Sequence, residues 1–74
     1  MKLSASAEKK LRKIVAGFRE AGVVPSAKHV IYRELDDGTS IDELEGAGMV
    51  APMTDGCVTL TGAGARWMVA LLSQ

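Results

Sequence analysis

The 74-residue chain has few of the residues that build cross-linked, metal-binding or reactive sites. Cys57 is the only cysteine and His29 the only histidine. One cysteine excludes an internal disulfide, and the pair falls short of the roughly four ligands of a structural zinc site. No apolar run approaches the roughly 20 residues of a membrane-spanning helix, and no secretory hydrophobic region follows Met1. We therefore expect a soluble, cytoplasmic protein with no metal and no cofactor.

Residue sets that support catalysis are also missing. His29 and Cys57 fall on different predicted elements, and neither has a partner with which to form a nucleophile–base pair. The carboxylates between positions 36 and 43 surround a turn and a helix start, where the helix dipole accounts for them. No pair of glycines continues into the Gly-Lys-Ser/Thr of a phosphate-binding loop. We therefore expect no enzymatic activity.

Charge is unevenly distributed along a chain whose net charge is zero. Residues 1–33 carry eight Lys/Arg and two acids, and residues 34–74 carry one Arg and seven acids, so the halves hold +6 and −6. Such asymmetry predicts nucleic acid or a charged protein as a partner. The alternative is that the two halves attract each other on folding and otherwise present solvated faces.

The basic half is predicted to form two helices. Ser4 or Ser6 can cap a first helix, which ends at Ala21 because Gly22 supplies a left-handed stop. A second helix is predicted over about Ala27 to Leu35. The outer faces of both helices are either solvated surface or a surface that contacts phosphates. The candidate DNA-binding residues there are Lys9, Lys10, Arg12, Lys13, Lys28, His29, Tyr32 and Arg33.

The acidic half begins with a short third helix, about Ile41 to Ala47. Ser40 and Glu43 have the spacing of a capping box, in which each satisfies the other's backbone N–H. The exposed side of this helix is acidic and contains no cation. The candidate surface for a basic protein partner consists of Asp36, Asp37, Asp42, Glu43 and Glu45.

A β-hairpin is predicted next, turning at an Asp-Gly pair. Because Pro52 has no N–H, it must lie on an edge strand with that position directed outward. This favours a four-residue connection, residues 54–57, with Met53 opposite Val58 and Cys57 exposed in the loop. The core side of the hairpin would then hold Met49, Ala51, Met53, Val58 and Leu60.

Thr61 can cap the final helix, about Gly62 to Ser73. Arg66 is the only charged residue in its body, so the helix is apolar nearly all round and one core face cannot bury it. Either the first helix covers two of its sides or a second subunit does, and we expect a homodimer. The candidate dimer-interface residues are Trp67, Met68, Leu71 and Leu72.

The run from Leu44 to Leu72 resembles the second half of the winged helix-turn-helix domain of small prokaryotic transcriptional regulators. In that family a helix ends in leucine, three residues and glycine, the wing turns at a small polar pair, and Leu-Thr-x-x-Gly opens the last helix. The matching positions here are Leu44, Gly48, Met49, Val50, Asp55, Gly56, Leu60, Thr61 and Gly64. The resemblance implies a single α+β, mainly helical domain over residues 1–74, with three helices, a two-stranded hairpin wing and a C-terminal helix.

Two functions follow from these patterns. The resemblance implies a regulator that binds double-stranded DNA through its third helix and wing. Because those elements carry acids and no Lys or Arg, DNA contact would fall on the basic residues before position 34. The alternative is a non-enzymatic protein-interaction module, resembling phage-encoded inhibitors such as anti-CRISPR proteins, whose acidic surface docks on a basic, nucleic-acid-binding partner. The usual role of the fold favours DNA binding.

Overall fold

The computed structural model describes residues 3–54 and 56–73, which form an α+β domain. The helices in these residues are α1 (Ala5–Ala21), α2 (Ser40–Gly46) and α3 (Gly62–Leu72). The strands are β1 (Val30–Tyr32), β2 (Val50–Pro52) and β3 (Cys57–Leu60). They form an antiparallel sheet of order β1-β3-β2, so β3 is central and the other two strands are its edges. In this part of the chain no helix combines the length and the apolar character needed to cross a membrane.

The first helix follows its local signals, as predicted. The Ala7 N–H donates to Ser4 Oγ at 3.2 Å, which makes Ser4 the N-cap. Gly22 adopts φ 69° and its N–H donates to the Arg19 carbonyl, closing the helix. Both caps involve only neighbours in sequence, so the sequence alone specifies them.

The predicted second helix is wrong, because strand β1 occupies that segment. Lys28, at φ 73°, donates its N–H to the Leu60 carbonyl, and the next residue accepts the Leu60 N–H. Two residues thus oppose one, which is a β-bulge, and the chain then continues as an edge strand. The triplet Val30-Ile31-Tyr32 is branched or aromatic throughout, and its alternating burial has the strand period of two.

Helix α2 lies within one residue of its predicted bounds, but its predicted capping box is wrong. Thr39 is the N-cap, and among the described residues its side chain makes no capping hydrogen bond. Ser40 is already helical and buried. The Glu43 carboxylate instead accepts the backbone N–H and the hydroxyl of Ser4, at 3.2 and 2.6 Å. A carboxylate that binds the N-terminus of α1 gains charge-assisted hydrogen bonds there and joins two helices.

The hairpin forms, but its predicted register is wrong by one residue. Pro52, rather than Met53, lies opposite Val58, and the Met53 N–H donates to the Cys57 carbonyl at 3.1 Å. Gly56, at φ 71°, supplies the left-handed residue of a shorter turn, which shifts the pairing. Asp55, the other predicted turn residue, lies outside the described residues.

This register reverses the predicted faces of β2. Val50 lies with Leu60 and Val58 on the buried face, whereas Met53 is half-exposed. Cys57 is the first residue of β3 and is half-buried, not exposed in the loop. The prediction that Pro52 lies on an edge strand and faces outward is confirmed. The next residue, Met53, bonds to β3, and neighbouring residues of a strand face opposite ways, so Pro52 faces away from β3.

Helix α3 begins where predicted, with the Gly64 N–H donated to Thr61 Oγ1 at 2.9 Å. The start of α3 packs closely against Met49, the residue before β2. A Cβ atom at position 64 would collide with the Met49 carbonyl oxygen and lie 2.8 Å from the carbonyl carbon. Met68 is 0% exposed in the protein's own core, so its assignment to a dimer interface is wrong. Leu71 and Leu72 are partly buried against the same core, and α1 packs along α3. Trp67 remains half-exposed.

Candidate interaction surfaces

An ion-pair cluster joins α1 to the segment that follows β1. Lys10 is only 6% exposed, and its Nζ lies 3.0 Å from Asp37 Oδ1 and 3.5 Å from Glu34 Oε1. The Asp37 side chain is 7% exposed and also accepts the Glu34 N–H, at 2.8 Å. Lys13 lies on the exposed side of the cluster, with its Nζ 2.6 Å from Glu34 Oε2. We call these four residues the lysine–acid cluster.

The ionisation of the lysine–acid cluster follows from these contacts. The hydrogen bond from Lys13, and then the charge of Lys10, lowers the pKa of Glu34. The same hydrogen bond raises the pKa of Lys13. Burial by itself would raise the pKa of Asp37, but the Glu34 N–H and Lys10 together outweigh burial and lower it. The pKa shifts of Glu34, Asp37 and Lys13 thus all favour the charged form of each group, and these charges hold one another in place.

The carboxylates of this region also lie close enough to one another to bind a metal ion in principle. Oxygen atoms of Glu34, Asp36 and Asp37 are within 4.8 Å of one another. Two of these three carboxylates already bind lysine ammonium groups. A cation would have to displace both lysines, so the arrangement is an ion-pair network and not a metal site.

In the part of the chain that the structure describes, one cation, Arg33, lies against the acidic face of α2. Arg33 Nη2 lies 3.2 Å from Asp42 Oδ1 and 3.8 Å from Glu45 Oε2. Glu43, between them in sequence, binds Ser4. Two of the three carboxylates on this helix thus share one guanidinium, and the three acids together with Arg33 carry a formal charge of −2.

The structure separates the eight candidate DNA-binding residues. Lys10 is buried, Lys13 binds the lysine–acid cluster, and Arg33 faces α2. Arg12 lies 3.2 Å from Glu8 one helical turn away. Among the described residues, the candidate cations that are exposed and outside any ion pair are Lys9 and Lys28.

The two remaining candidates lie beside α1. The ring of His29 meets Phe18 edge-on, with centroids 5.1 Å apart, and its Nδ1 lies 3.1 Å from Ser26 Oγ. Tyr32 is exposed on β1. Lys13, His29 and Tyr32 are brought together along one groove, which is the part of the predicted basic patch that the structure assembles.

That groove is a feature which sequence reasoning missed. It runs between α1 and β1, has a volume of about 440 Å³, and is lined on its apolar parts by Ile14, Phe18, Val23, Val30 and Tyr32. A helix over residues 27–35 would have turned Val30 toward the core and filled this space. The signal that points to it is the triplet of branched and aromatic residues, which favours an extended strand over a helix.

Comparison with protein-family models, with curated proteins and with solved structures finds no match for this chain. Its function therefore has to follow from the arrangement of its own residues. Within residues 3–54 and 56–73 the geometry offers an acidic face on α2, two exposed lysines outside any ion pair, and an apolar groove beside an edge strand.

Proposed function

We propose that this protein is a non-enzymatic protein-interaction module that docks the acidic face of α2 on a basic surface of a partner, of the kind that normally holds nucleic acid. The observation that carries the proposal is the charge left over after internal pairing. Most of the candidate cations are neutralised by acids of the same chain, whereas the acidic face of α2 keeps a surplus of two negative charges.

The carboxylates of this face are accessible. Asp42 is well exposed, and Glu45 and its partner Arg33 are about one-third exposed. Ion pairs at such exposure contribute between about 0 and 1 kcal/mol, so they exchange readily for contacts with another protein. A cluster of basic residues on a partner would gain charge complementarity and a faster association rate from this face.

The arrangement of elements is compatible with a winged-helix type of domain whose DNA-reading unit is incomplete. Helix α2, the β2–β3 hairpin and α3 follow one another in the order that the resemblance implies. A strand stands where the first helix of a helix-turn-helix pair is expected, and α2 spans only Ser40–Gly46. A short acidic helix repels phosphates and has no neighbouring basic helix to hold it in a groove. The domain architecture therefore favours a protein partner.

The test is capture of a basic protein from nuclease-treated host lysate, with quantitative mass spectrometry. Asp42→Lys is expected to reduce the captured protein at least tenfold, because it reverses the most exposed charge of the face. Glu20→Lys is the matched control, since it makes the same charge change at an exposed position of α1. Equal recovery with both variants would contradict docking through α2.

DNA binding is the second candidate, and Lys9 and Lys28 are the observation that favours it. Both are exposed and lie outside the ion pairs of the described residues. Two phosphate contacts predict a binding constant that falls with about the −2 power of salt concentration. Fluorescence anisotropy with mixed-sequence duplex DNA should show this dependence in the native protein, lose it in Lys9→Glu/Lys28→Glu, and keep it in Arg66→Glu. A flat titration at low salt removes this candidate.

A further inference from the structure

The open edge of β1 has backbone groups that the sheet does not use. The Leu60 N–H donates to the His29 carbonyl at 2.8 Å, and the Arg33 N–H donates to the Gly56 carbonyl at 3.3 Å. In an antiparallel strand every second residue bonds to the same neighbouring strand. Because His29 bonds to β3 and Arg33 to the residue just before it, the residues one position away from them along β1 face the other way. The N–H and C=O groups of Val30 and Tyr32 therefore point away from β3, toward the edge.

The two edges of the sheet differ in how they are protected. On β2 the outward positions are Val50 and Pro52, and Pro52 has no N–H to offer another strand. On β1 the outward positions are a valine and a tyrosine, with neither a proline nor a charge among its three residues. Natural edge strands avoid pairing with other chains through prolines and charges. By this measure β2 is protected at one of its outward positions, whereas β1 is protected at neither.

Two of the three side chains of β1, Val30 and Tyr32, are uncovered. Val30 is 45% exposed and Tyr32 is 70% exposed. Both line the groove beside α1, together with Phe18 and Val23. Exposed apolar surface gathered beside an unpaired strand edge is typical of an interface rather than of free surface.

From these features we infer that β1 pairs antiparallel with β1 of a second copy of this chain, about a two-fold axis at Ile31. In this register Val30 lies opposite Tyr32 of the partner subunit, and Tyr32 lies opposite Val30 of the partner subunit. The two pairs form four backbone hydrogen bonds and use every outward-pointing N–H and C=O of the strand. The two three-stranded sheets become one sheet of six strands.

The chain's own sequence fits this occupant. Each Val30–Tyr32 pair sets a branched side chain against an aromatic ring, a favourable cross-strand combination. A two-fold axis requires a self-complementary strand, and this register sets the exposed side chains of β1 against each other.

This dimer differs from the one expected from α3 alone. Met68 is buried in the core of its own chain. Trp67 is half-exposed, but it lies within a helix, whose backbone groups bond to one another. The inferred interface is also separate from the α2 face, which contributes no residue to it. Its test therefore uses the free protein, and its outcome is independent of the proposed function.

Sedimentation equilibrium of the native protein, from micromolar to millimolar concentration, tests the inference. The average mass is expected to rise from 7.8 kDa toward twice that value. Tyr32→Pro removes an N–H that β3 does not use, so it should weaken the dimer at least tenfold and leave the circular dichroism spectrum unchanged. Trp67→Ala is the control and should keep the native association constant.

Two further measurements keep the inference falsifiable if the proline variant does not fold. Val30→Lys places a cation on the open edge and should also give a monomer. In a sample mixed from isotope-labelled and unlabelled chains, the two Ile31 residues should show an intermolecular Hα–Hα contact, since their Cα atoms lie about 4.5 Å apart in such a pair. A native protein that stays monomeric, a dimer unaffected by Val30→Lys, or intermolecular contacts at Trp67 instead of Ile31 would each overturn it.

Discussion

Replacing Lys10 by methionine tests whether the basic half of the chain serves folding. Methionine keeps the apolar stem of the side chain within α1 and removes the Nζ that lies 3.0 Å from Asp37 Oδ1. Asp37 would then be a buried carboxylate whose described hydrogen bond comes from the Glu34 N–H alone. An unpaired buried charge destabilises the folded state more than the loss of a surface pair does.

The magnitude follows from the burial of the two groups. Breaking a buried ion pair costs about 3–5 kcal/mol. Asp37 keeps one backbone hydrogen bond and lies near the surface, so we expect about 2–3 kcal/mol for Lys10→Met. In a domain of this size each kcal/mol lowers the Tm by roughly 4–8 °C, which predicts a fall of about 10–20 °C. Lys9→Met, at the exposed neighbouring position, should change stability by less than about 0.5 kcal/mol.

Urea denaturation followed by circular dichroism at pH 7 measures these differences. Combining Lys10→Met with Asp37→Asn should recover part of the loss, with a coupling energy of about 1–3 kcal/mol, because the second change removes the unpaired charge. The penalty of Lys10→Met should also shrink in acid, as the carboxylate becomes neutral. If Lys10→Met costs no more than Lys9→Met, or if its cost is independent of Asp37, the buried-pair argument is refuted.

Two further predictions concern stability. Gly64→Ala should lower the free energy of unfolding by about 2–4 kcal/mol, because the new methyl group collides with a backbone carbonyl that cannot move freely. Gly62→Ala is the control, since the nearest atom there is the end of a flexible arginine side chain 3.7 Å away. In the same thermal melt this variant should be neutral or stabilising. Stability should fall in acid: the pKa values of Glu34 and Asp37 are lowered in the folded state, so their contribution is complete above about pH 4 and is lost as the pH falls through the lower folded-state pKa. Urea midpoints between pH 2 and 7 measure this, and equal midpoints at about pH 3 and 6 would contradict it.

Much of the fold was predictable because its signals are local. Ser4, Gly22 and Thr61 cap helices through bonds to residues within four positions in sequence, and the sequence displays these motifs directly. The outward position of Pro52 was equally predictable, since a missing N–H is a property of the residue itself. The hairpin could also be predicted to exist, because its turn signal is a local feature of the sequence.

Errors arose where a distant partner decided the outcome. Residues 27–35 have apolar spacing compatible with a helix, but Leu60 binds the backbone on both sides of the bulge at Lys28 and makes the segment a strand. Glu43 has the spacing of a capping box, but it binds Ser4, which is 39 residues away in sequence. Neither partner can be identified from local spacing, because the competing contacts form only when the chain is compact.

The uneven distribution of charge likewise depends partly on the sequence and partly on contacts between distant residues. The amino-acid order specifies that one half of the chain is basic and the other acidic and that α1 and α3 begin at capping residues, and the composition excludes an internal disulfide and a four-ligand zinc site within one chain. Folding determines that Lys10, Lys13 and Arg33 are bound by acids of the same chain, that the face of α2 keeps a negative surplus, and that β1 lies at an edge of the sheet. The physical reason is that an ion pair depends on the distance between two charges in space, and composition fixes only how many charges of each sign there are.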